Sequence, residues 1–386
     1  MKRFLFVVPP FAGHVNPTIG VARELMARGN EVAWVGYANG VKHLLPPDAK
    51  LIPIENRTVN AEEFNATAER ARQVRGFASF DFFWESVLTP LAHGMLDGVL
   101  RAVDSFRPDV IVCDHQALAG GFAARRTNVP WATFCTTSAS LVDTFADLPR
   151  VKEWVDGKLN DLQTWAGLDL LPAGDLSPEL IVVFSTSALI GDISSFPKQC
   201  EFVGPSIADR PDETPFPWEA LQDKKRVLIS LGTVPNESSV AFFRAVTDAF
   251  TDSPHQFIVV APERAIPSPP PNFIVQQRVP QLRLLPHVQA VMCHGGHNTV
   301  CEALANGLPL VVTPIRDDQP VIANQVAMSG AGLRLKFART TGDSLRAALG
   351  RIIDEPPFAQ AAERIRESFA AAGGAKRAAE LLINLR

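Results

Sequence analysis

Short apolar runs alternate with longer helical patterns along most of this chain. An uninterrupted apolar run predicts a strand that is buried on both faces, and a helical stretch after each strand predicts the crossover of a parallel sheet. In the first half the predicted strands are 3–9, 31–36, 109–114, 130–135 and 180–185. In the second half they are 226–233, 256–262, 273–279, 290–296, 308–315 and 332–337. The pattern therefore predicts an α/β protein built on parallel sheets.

The clearest helix between these strands is predicted from Pro17 to Arg28. Asn16 suits the N-cap, proline suits the first helical position, and Gly29 suits the position after the end. The tail from Pro357 to Arg386 is rich in alanine, glutamate and arginine, and it predicts one or two helices.

The length of 386 residues predicts two domains, at roughly 150 residues per domain. The stretch 204–226 is rich in proline and charge and has no sustained apolar period, which is typical of a linker. We predict a first domain at 1–205, a linker at 206–225 and a second domain at 226–369. The last helix, at about 370–386, is expected to pack back on the first domain.

Composition excludes several classes of partner. The net charge is −4, without a long run of like charge, so nothing favours nucleic acid or an anionic membrane surface. The five cysteines form no C-x-x-C pair, which favours free thiols in a reducing cytosol. The first apolar run is cut by two prolines and predicts a strand rather than a signal peptide. The sequence predicts a cytoplasmic protein with no membrane span and gives no indication of an oligomeric state.

The carboxyl ends of parallel strands are where α/β sheets bind ligands. That rule selects five loops: 9–16, 114–121, 232–238, 294–299 and 315–320. In the fourth loop, "HGGHNT" follows an apolar run and opens a helical pattern. Glycines let the backbone approach a ligand, and the first turn of a helix offers unpaired N–H groups. This combination predicts an anion site, most simply a phosphate site.

The segment 278–325 resembles the donor-binding signature of the family 1, UDP-glycosyltransferase-like enzymes, in particular the bacterial natural-product and macrolide type. It carries "VPQ", then H-x-G-x-N-T with a glutamate eight residues after the histidine, then "DQP". The stretch "PPFAGHVNP" matches the start of the same family. The resemblance implies the GT-B fold, in which two Rossmann-like parallel-sheet domains face a cleft.

The resemblance also implies a reaction. Such enzymes are inverting glycosyltransferases that move a hexose from a UDP- or dTDP-sugar to a nucleophile, here expected to be a hydroxyl, on a small lipophilic acceptor such as a natural product or antibiotic precursor. The sequence has no zinc-type cluster, Walker loop or D-x-D motif, so no metal or other cofactor is expected. Two alternatives remain: a non-catalytic sugar-nucleotide-binding partner protein, and a GT-B sugar-nucleotide epimerase.

The donor site implied by the resemblance lies in the second domain. Its expected residues are Gly232, Thr233, Arg278, Val279, Gln281, His294, Gly296, Asn298, Thr299, Glu302, Asp318 and Gln319. His294 and the helix start face the diphosphate, Glu302 the ribose hydroxyls, and Asp318 and Gln319 the sugar hydroxyls. Many relatives stack a tryptophan on the nucleobase where this chain has Arg278. A guanidinium can also stack on a base, so the base stays open between uracil and thymine.

The expected catalytic residues are His14, in the loop after the first predicted strand, and Asp114, at the end of another strand of the same sheet. A histidine in the loop after the first strand can accept a proton near neutral pH, and a carboxylate on its other ring nitrogen fixes the tautomer. The resemblance pairs the matching histidine and aspartate in this way.

The segment 76–96 has large apolar side chains at helical spacing. Periodicity favours a helix that faces the core, while the resemblance favours an apolar wall for the acceptor. The residues expected on that wall are Phe77, Phe80, Phe83 and Trp84.

Overall fold

The computed structural model describes residues 1–55, 77–141, 148–208, 214–232 and 237–385. Its strands are β1 Arg3–Val7, β2 Glu31–Tyr37, β3 Leu51–Ile54, β4 Val110–Asp114, β5 Trp131–Cys135, β6 Ile181–Val183, β7 Cys200–Phe202, β8 Arg226–Ser230, β9 Gln256–Val260, β10 Phe273–Gln276, β11 Ala290–Cys293, β12 Leu310–Val312 and β13 Gly332–Arg334.

The α-helices, in chain order, are α1 Ala12–Ala27, α2 Ala38–Val41, α3 Phe77–Phe83, α4 Thr89–Phe106, α5 Leu118–Thr127, α6 Pro149–Trp165, α7 Ser187–Ile190, α8 Glu237–Phe250, α9 Gln281–Leu284, α10 His297–Ala305, α11 Gln319–Met328, α12 Gly342–Asp354, α13 Pro356–Ala372 and α14 Gly374–Asn384. A π-helical turn, Trp84–Leu88, joins α3 to α4, so that 77–106 forms one continuous helical stretch.

The chain divides into two compact units. The first contains Met1–Phe184, Ser194–Ala208 and Gly373–Arg386, and the second contains Ser185–Ile193 and Asp209–Ala372. Helix α14 therefore belongs to the first unit, although it follows the whole of the second in sequence.

The first unit is a parallel sheet of seven strands in the order β3-β2-β1-β4-β5-β6-β7. Alternate residues of its central strands enter two separate cores. Leu5 and Val7 of β1 pack with α4 and α5, whereas Phe4 and Phe6 pack with α1 and α14. Both faces of the sheet are thus covered by helices, which explains why its strands are uninterrupted apolar runs.

The second unit is a parallel sheet of six strands in the order β10-β9-β8-β11-β12-β13. Val227 and Ile229 of β8 pack with apolar residues of α8 and α12 in one core. In each sheet the strand order reverses once, between β1 and β4 in the first and between β8 and β11 in the second. Such a reversal opens a crevice at the carboxyl ends of the two strands.

The prediction of two parallel α/β sheets is confirmed, and each predicted strand overlaps an observed one. Two strands were not predicted. β3, "LIPI", contains a proline, and β7, "CEF", is only three residues long and partly exposed. Both lie at sheet edges, where a strand is hydrogen-bonded on one side only, so a proline and partly exposed side chains are tolerated.

The predicted start of the first helix is wrong. α1 begins at Ala12, so Asn16 is not its N-cap and Pro17 lies inside it. The first turn is closed by amides of His14 and Val15, which both donate to the carbonyl of Phe11. His14 therefore lies in the first turn of a helix, not in a loop. The helix ends at Ala27, one residue before the predicted end, and Gly29 follows at a positive φ of 78°.

The tail forms two helices, α13 and α14, separated by Gly373; both Gly373 and Gly374, the first residue of α14, have positive φ. Ala378, Ala379 and Leu382 of α14 are fully buried in the core that α1 also enters. Among the helices that the structure describes, none combines the length and the apolar character needed to cross a bilayer.

Candidate functional site

His14 and Asp114 meet at the reversal point of the first sheet. Asp114 ends β4, and His14 lies in the helix that follows β1, the strand paired with β4. Nδ1 of His14 is 2.9 Å from both carboxylate oxygens of Asp114. A carboxylate only accepts hydrogen bonds, so Nδ1 carries the proton and donates it. This tautomer leaves the lone pair on Nε2, where a general base needs it.

The Asp114 carboxylate is buried but well supplied with donors. Its side chain is fully enclosed, and Oδ1 also accepts the backbone N–H of Gln116 at 2.8 Å. Burial alone would raise the pKa of Asp114, but the charges of His14 and His115 and the hydrogen bonds from His14 and Gln116 lower it below its ordinary value. The aspartate is therefore ionised at neutral pH and holds the ring of His14.

Two further residues around this pair were given no role by sequence reasoning, Thr136 and His115. The Oγ1 atom of Thr136, directly after β5, lies 2.8 Å from Oδ2 of Asp114 and 2.9 Å from Nδ1 of His14. The ring of His115 lies 5.3 Å from that of His14, and its Nε2 is 2.7 Å from the hydroxyl of Ser140. The position of Thr136 at the end of the strand next to β4 was a signal that could have found it.

The same three side chains could be taken for a metal site. His14, Asp114 and His115 each place a ligating atom within 4.8 Å of the others. However, the oxygens of Asp114 already accept protons from a ring N–H, a backbone N–H and a hydroxyl. This donor set matches a base held by a carboxylate better than the lone pairs that a cation requires.

His294 lies at the reversal point of the second sheet. β11 ends at Cys293, and α10 begins at His297 with Gly296 as its N-cap. A Cβ on Gly232, which follows β8 at a φ of 69°, would stand 2.7 Å from the His294 ring, and a Cβ on Gly296 would stand equally close. The two glycines are therefore required for the imidazole to lie between their backbones.

The His294 ring is held with one nitrogen available to a ligand. Burial lowers its pKa, and this outweighs the raising effects of Asp318 and of a hydrogen bond to the Ser230 carbonyl. Among the described residues its Nδ1 has no hydrogen-bond partner. A buried polar atom without a partner is costly, and it is common where a ligand supplies the missing bond.

Gln281 and Glu302 are brought together although they are far apart in sequence. Gln281 opens α9, Glu302 lies on α10 and is 5% exposed, and the amide Nε2 donates to the carboxylate Oε2 at 2.5 Å. The "PQ" of the predicted motif therefore orients its glutamate.

Gln319 is the first residue of α11 and Asp318 is its N-cap. Gln319 is 5% exposed, and its amide oxygen accepts the backbone N–H groups of Ile315 and Arg316 at 2.9 and 3.1 Å. The oxygen is therefore engaged in shaping the loop, and the amide N–H groups are the part of this side chain that can meet a sugar.

The other predicted donor residues lie around these. Arg278 is exposed and Val279 partly buried in the segment between β10 and α9, and Asn298 and Thr299 are the second and third residues of α10. At these helix positions the backbone N–H groups have no partner within the helix. Thr233 lies outside the described residues.

The segment proposed as an acceptor wall serves the core in part. Trp84, at 7% exposure, packs with Leu91 and Met95 in the core beneath α4. Phe80 and Phe83 are partly exposed at the edge of that core, and Phe80 contacts Trp154 with ring centroids 6.0 Å apart. The side chain of Phe77 lies outside the described residues.

Residues 245–385 match a family model described as the C-terminal domain of erythromycin biosynthesis protein CIII-like proteins. The chain is 29% identical to 4'-demethylrebeccamycin synthase of Lentzea aerocolonigenes, with 99% of both chains covered. It is 28% identical to the NDP-glycosyltransferase YjiC of Bacillus licheniformis, with 96% of this chain and 94% of that one covered. The solved structure of the glycotransferase of kitacinnamycin superposes with a TM-score of 0.81 at 25% identity, covering 100% of this chain and 99% of the other.

Proposed function

Because this chain belongs to the family 1 glycosyltransferases with the GT-B fold, we propose that it transfers a hexose from a UDP- or dTDP-sugar to a hydroxyl of a small lipophilic natural product. One relative is an NDP-glycosyltransferase and another is a 4'-demethylrebeccamycin synthase, and these names support a nucleotide-sugar donor and a natural-product acceptor. Because these relatives are named for glycosyl transfer or synthesis, they disfavour the two alternatives, a non-catalytic partner protein and an epimerase.

The observation that carries the proposal is the hydrogen bond from Nδ1 of His14 to the ionised Asp114. With its proton on Nδ1, the imidazole presents Nε2 to an acceptor hydroxyl and takes that proton as the oxygen attacks the anomeric carbon. Asp114 stabilises the imidazolium that results. The nucleoside diphosphate leaves from the opposite face, so a single displacement inverts the anomeric centre.

We assign the donor to the second unit. The diphosphate binds against Nδ1 of His294, the backbone of Gly232 and Gly296, Asn298 and Thr299, and the same assignment includes Thr233. Because a phosphate oxygen only accepts hydrogen bonds, Nδ1 must carry a proton in the bound state, and the charge of the diphosphate favours that imidazolium. These groups stabilise the charge that develops on the leaving group, as helix N-termini do for phosphates. Binding of this kind needs no metal ion, and we propose that the reaction is metal-independent.

The remaining donor contacts follow from the same placement. Glu302, oriented by Gln281, binds the ribose hydroxyls, while Asp318 and the amide N–H groups of Gln319 bind the sugar. Arg278 and Val279 face the nucleobase. On the acceptor side, we assign the exposed edges of Phe80 and Phe83 to an apolar wall, and the same assignment includes Phe77. Trp84 is buried and supports that wall from the core.

The experiment that tests the function combines binding with product analysis. UDP or dTDP is expected to raise the melting temperature, because a ligand that binds only the native state stabilises it. EDTA should not diminish that rise, and inorganic phosphate should produce much less. With a panel of hydroxylated aromatic and macrolide acceptors, the anomeric coupling constant of the product should show inversion. The proposal fails if no nucleoside diphosphate shifts the melting temperature at saturating concentration.

A further inference from the structure

A buried hydroxyl, that of Thr136, lies within hydrogen-bonding distance of both His14 and Asp114. Thr136 is 2% exposed, and its Oγ1 lies 2.8 Å from Oδ2 of Asp114 and 2.9 Å from Nδ1 of His14. The hydroxyl, one carboxylate oxygen and the ring nitrogen therefore form a triangle of hydrogen-bonding atoms. A hydroxyl has a single proton, so it donates to only one of the two neighbours.

The proton positions in this triangle can be assigned. Both oxygens of Asp114 lie 2.9 Å from Nδ1 of His14, and a proton must stand between a carboxylate and a nitrogen at that distance. Nδ1 therefore carries a proton and cannot accept the hydroxyl's proton. Thr136 consequently donates to Oδ2 of Asp114.

The hydroxyl thus completes the set of donors to Asp114. Oδ1 accepts the backbone N–H of Gln116, Oδ2 accepts Thr136, and both face Nδ1 of His14. Two fixed donors, one on each oxygen, fix the plane of the carboxylate, and that plane fixes the direction in which His14 points Nε2. A buried carboxylate that loses one of these donors is left with an unsatisfied oxygen.

We propose that Thr136 is a positioning residue for the His14–Asp114 pair, a role that rests on the function proposed above. Its hydroxyl holds the aspartate in the orientation that keeps the histidine in the base-competent tautomer. Thr136 acts through Asp114 and need not touch either substrate.

The test compares Thr136→Val, which keeps the shape and removes the hydroxyl, with Thr136→Ser, which keeps the hydroxyl. Thr136→Val is expected to lower kcat by roughly ten- to 150-fold, the range for one hydrogen bond to a charged group. KM for both substrates should stay within about threefold of the parent, and Thr136→Ser should recover most of the turnover.

The pH profile separates positioning from a merely structural role. Asp114 and His115 are the titratable groups seen to face His14. A carboxylate with one donor fewer holds the imidazolium proton more strongly. The acidic limb of kcat/KM in Thr136→Val should therefore move to higher pH. Thr133→Val is the matched control. It removes a buried hydroxyl that accepts a hydrogen bond from the backbone N–H of Ser177 and does not contact His14 or Asp114. Its acidic limb should not move.

The outcomes distinguish this inference from the proposed function. Near-normal turnover by His14→Ala would overturn the proposed function. Low turnover by His14→Ala together with normal turnover by Thr136→Val would overturn only the role of Thr136. A Thr136→Val enzyme with a raised donor KM and an unmoved acidic limb would place Thr136 on the donor sugar and also overturn it. If Thr136→Val does not fold, Thr136→Ser and Thr136→Cys decide, because the thiol is a weak donor of similar size. Equal turnover of those two variants would contradict the inference.

Discussion

Replacing Gly296 by alanine should weaken nucleoside diphosphate binding by displacing His294. The backbone of Gly296 has φ −61° and ψ 131°, which alanine adopts without strain. The new Cβ, however, would stand 2.7 Å from Nε2 of His294, well inside van der Waals contact, so the ring must move. The substitution therefore acts on the imidazole rather than on the backbone.

The magnitude follows from the bond that is lost. A hydrogen bond to a charged group is worth about 1.5–3 kcal/mol, which corresponds to roughly a ten- to 150-fold rise in Kd. The alanine also replaces the N-cap glycine of α10, at a cost of about 1 kcal/mol or less in folding stability. The binding effect should thus exceed the stability effect.

Isothermal titration calorimetry with UDP and dTDP measures the first effect, and urea denaturation measures the second. Gly350→Ala is the control, because a Cβ there meets nothing within 4 Å in a helix of the same unit. It should stabilise the protein by about 0.5–1 kcal/mol and leave Kd unchanged. An unchanged Kd in folded Gly296→Ala would refute the assignment of His294 to the diphosphate.

Three further outcomes are expected. Gln319→Glu keeps the side-chain oxygen that accepts the backbone N–H groups of residues 315 and 316 but removes the amide N–H groups. It should impair donor-sugar selection and leave the affinity for the nucleoside diphosphate nearly unchanged. A large loss of diphosphate affinity in calorimetry would contradict the assignment of Gln319 to the sugar. His14→Ala should lower kcat by about two to four orders of magnitude. In steady-state kinetics the double variant His14→Ala/Asp114→Asn should have nearly the same kcat as His14→Ala alone, and additive losses would mean that the two residues do not act as one unit. Burial lowers the pKa of His294, so below about pH 6.5 the unfolded chain binds a proton at this residue more readily than the folded chain, and the free energy of unfolding should fall as the pH drops. Urea denaturation of His294→Gln should show a smaller fall over the same pH range, and an equal fall would refute this effect.

The parts of the fold that sequence predicted are those in which one physical rule dominates. β4 and β11 are buried on both faces, so they are continuous apolar runs that end at a polar or glycine-rich turn. β3 and β7 lie at edges, and they are short and only partly buried. The start of α1 was misplaced because the preference of proline for a first turn is a tendency, and the helix contains Pro17 in its second turn.

In the candidate site, too, sequence predicted which residues are present but not which of them contact one another. The sequence motif identified Gln281 and Glu302, but their contact depends on how α9 meets α10. Likewise, no pattern indicates that the oxygen of Gln319 is engaged by its own loop or that Thr136 contacts the pair. Residue type and strand-end position predict which side chains are near a ligand, whereas their partners depend on three-dimensional packing.

The strands that carry both candidate sites are interior ones. β1, β4, β8 and β11 each have a hydrogen-bonded strand on either side, while β3, β7, β10 and β13 form the edges. Amides of such inner strands exchange with solvent through the largest openings of a domain, and edge strands exchange through local fraying. We therefore expect the groups of both candidate sites to lie beside the slowest-exchanging backbone of each unit. A substitution that frays an edge will lower the amount of folded enzyme in a cell before it alters the chemistry of the molecules that remain folded.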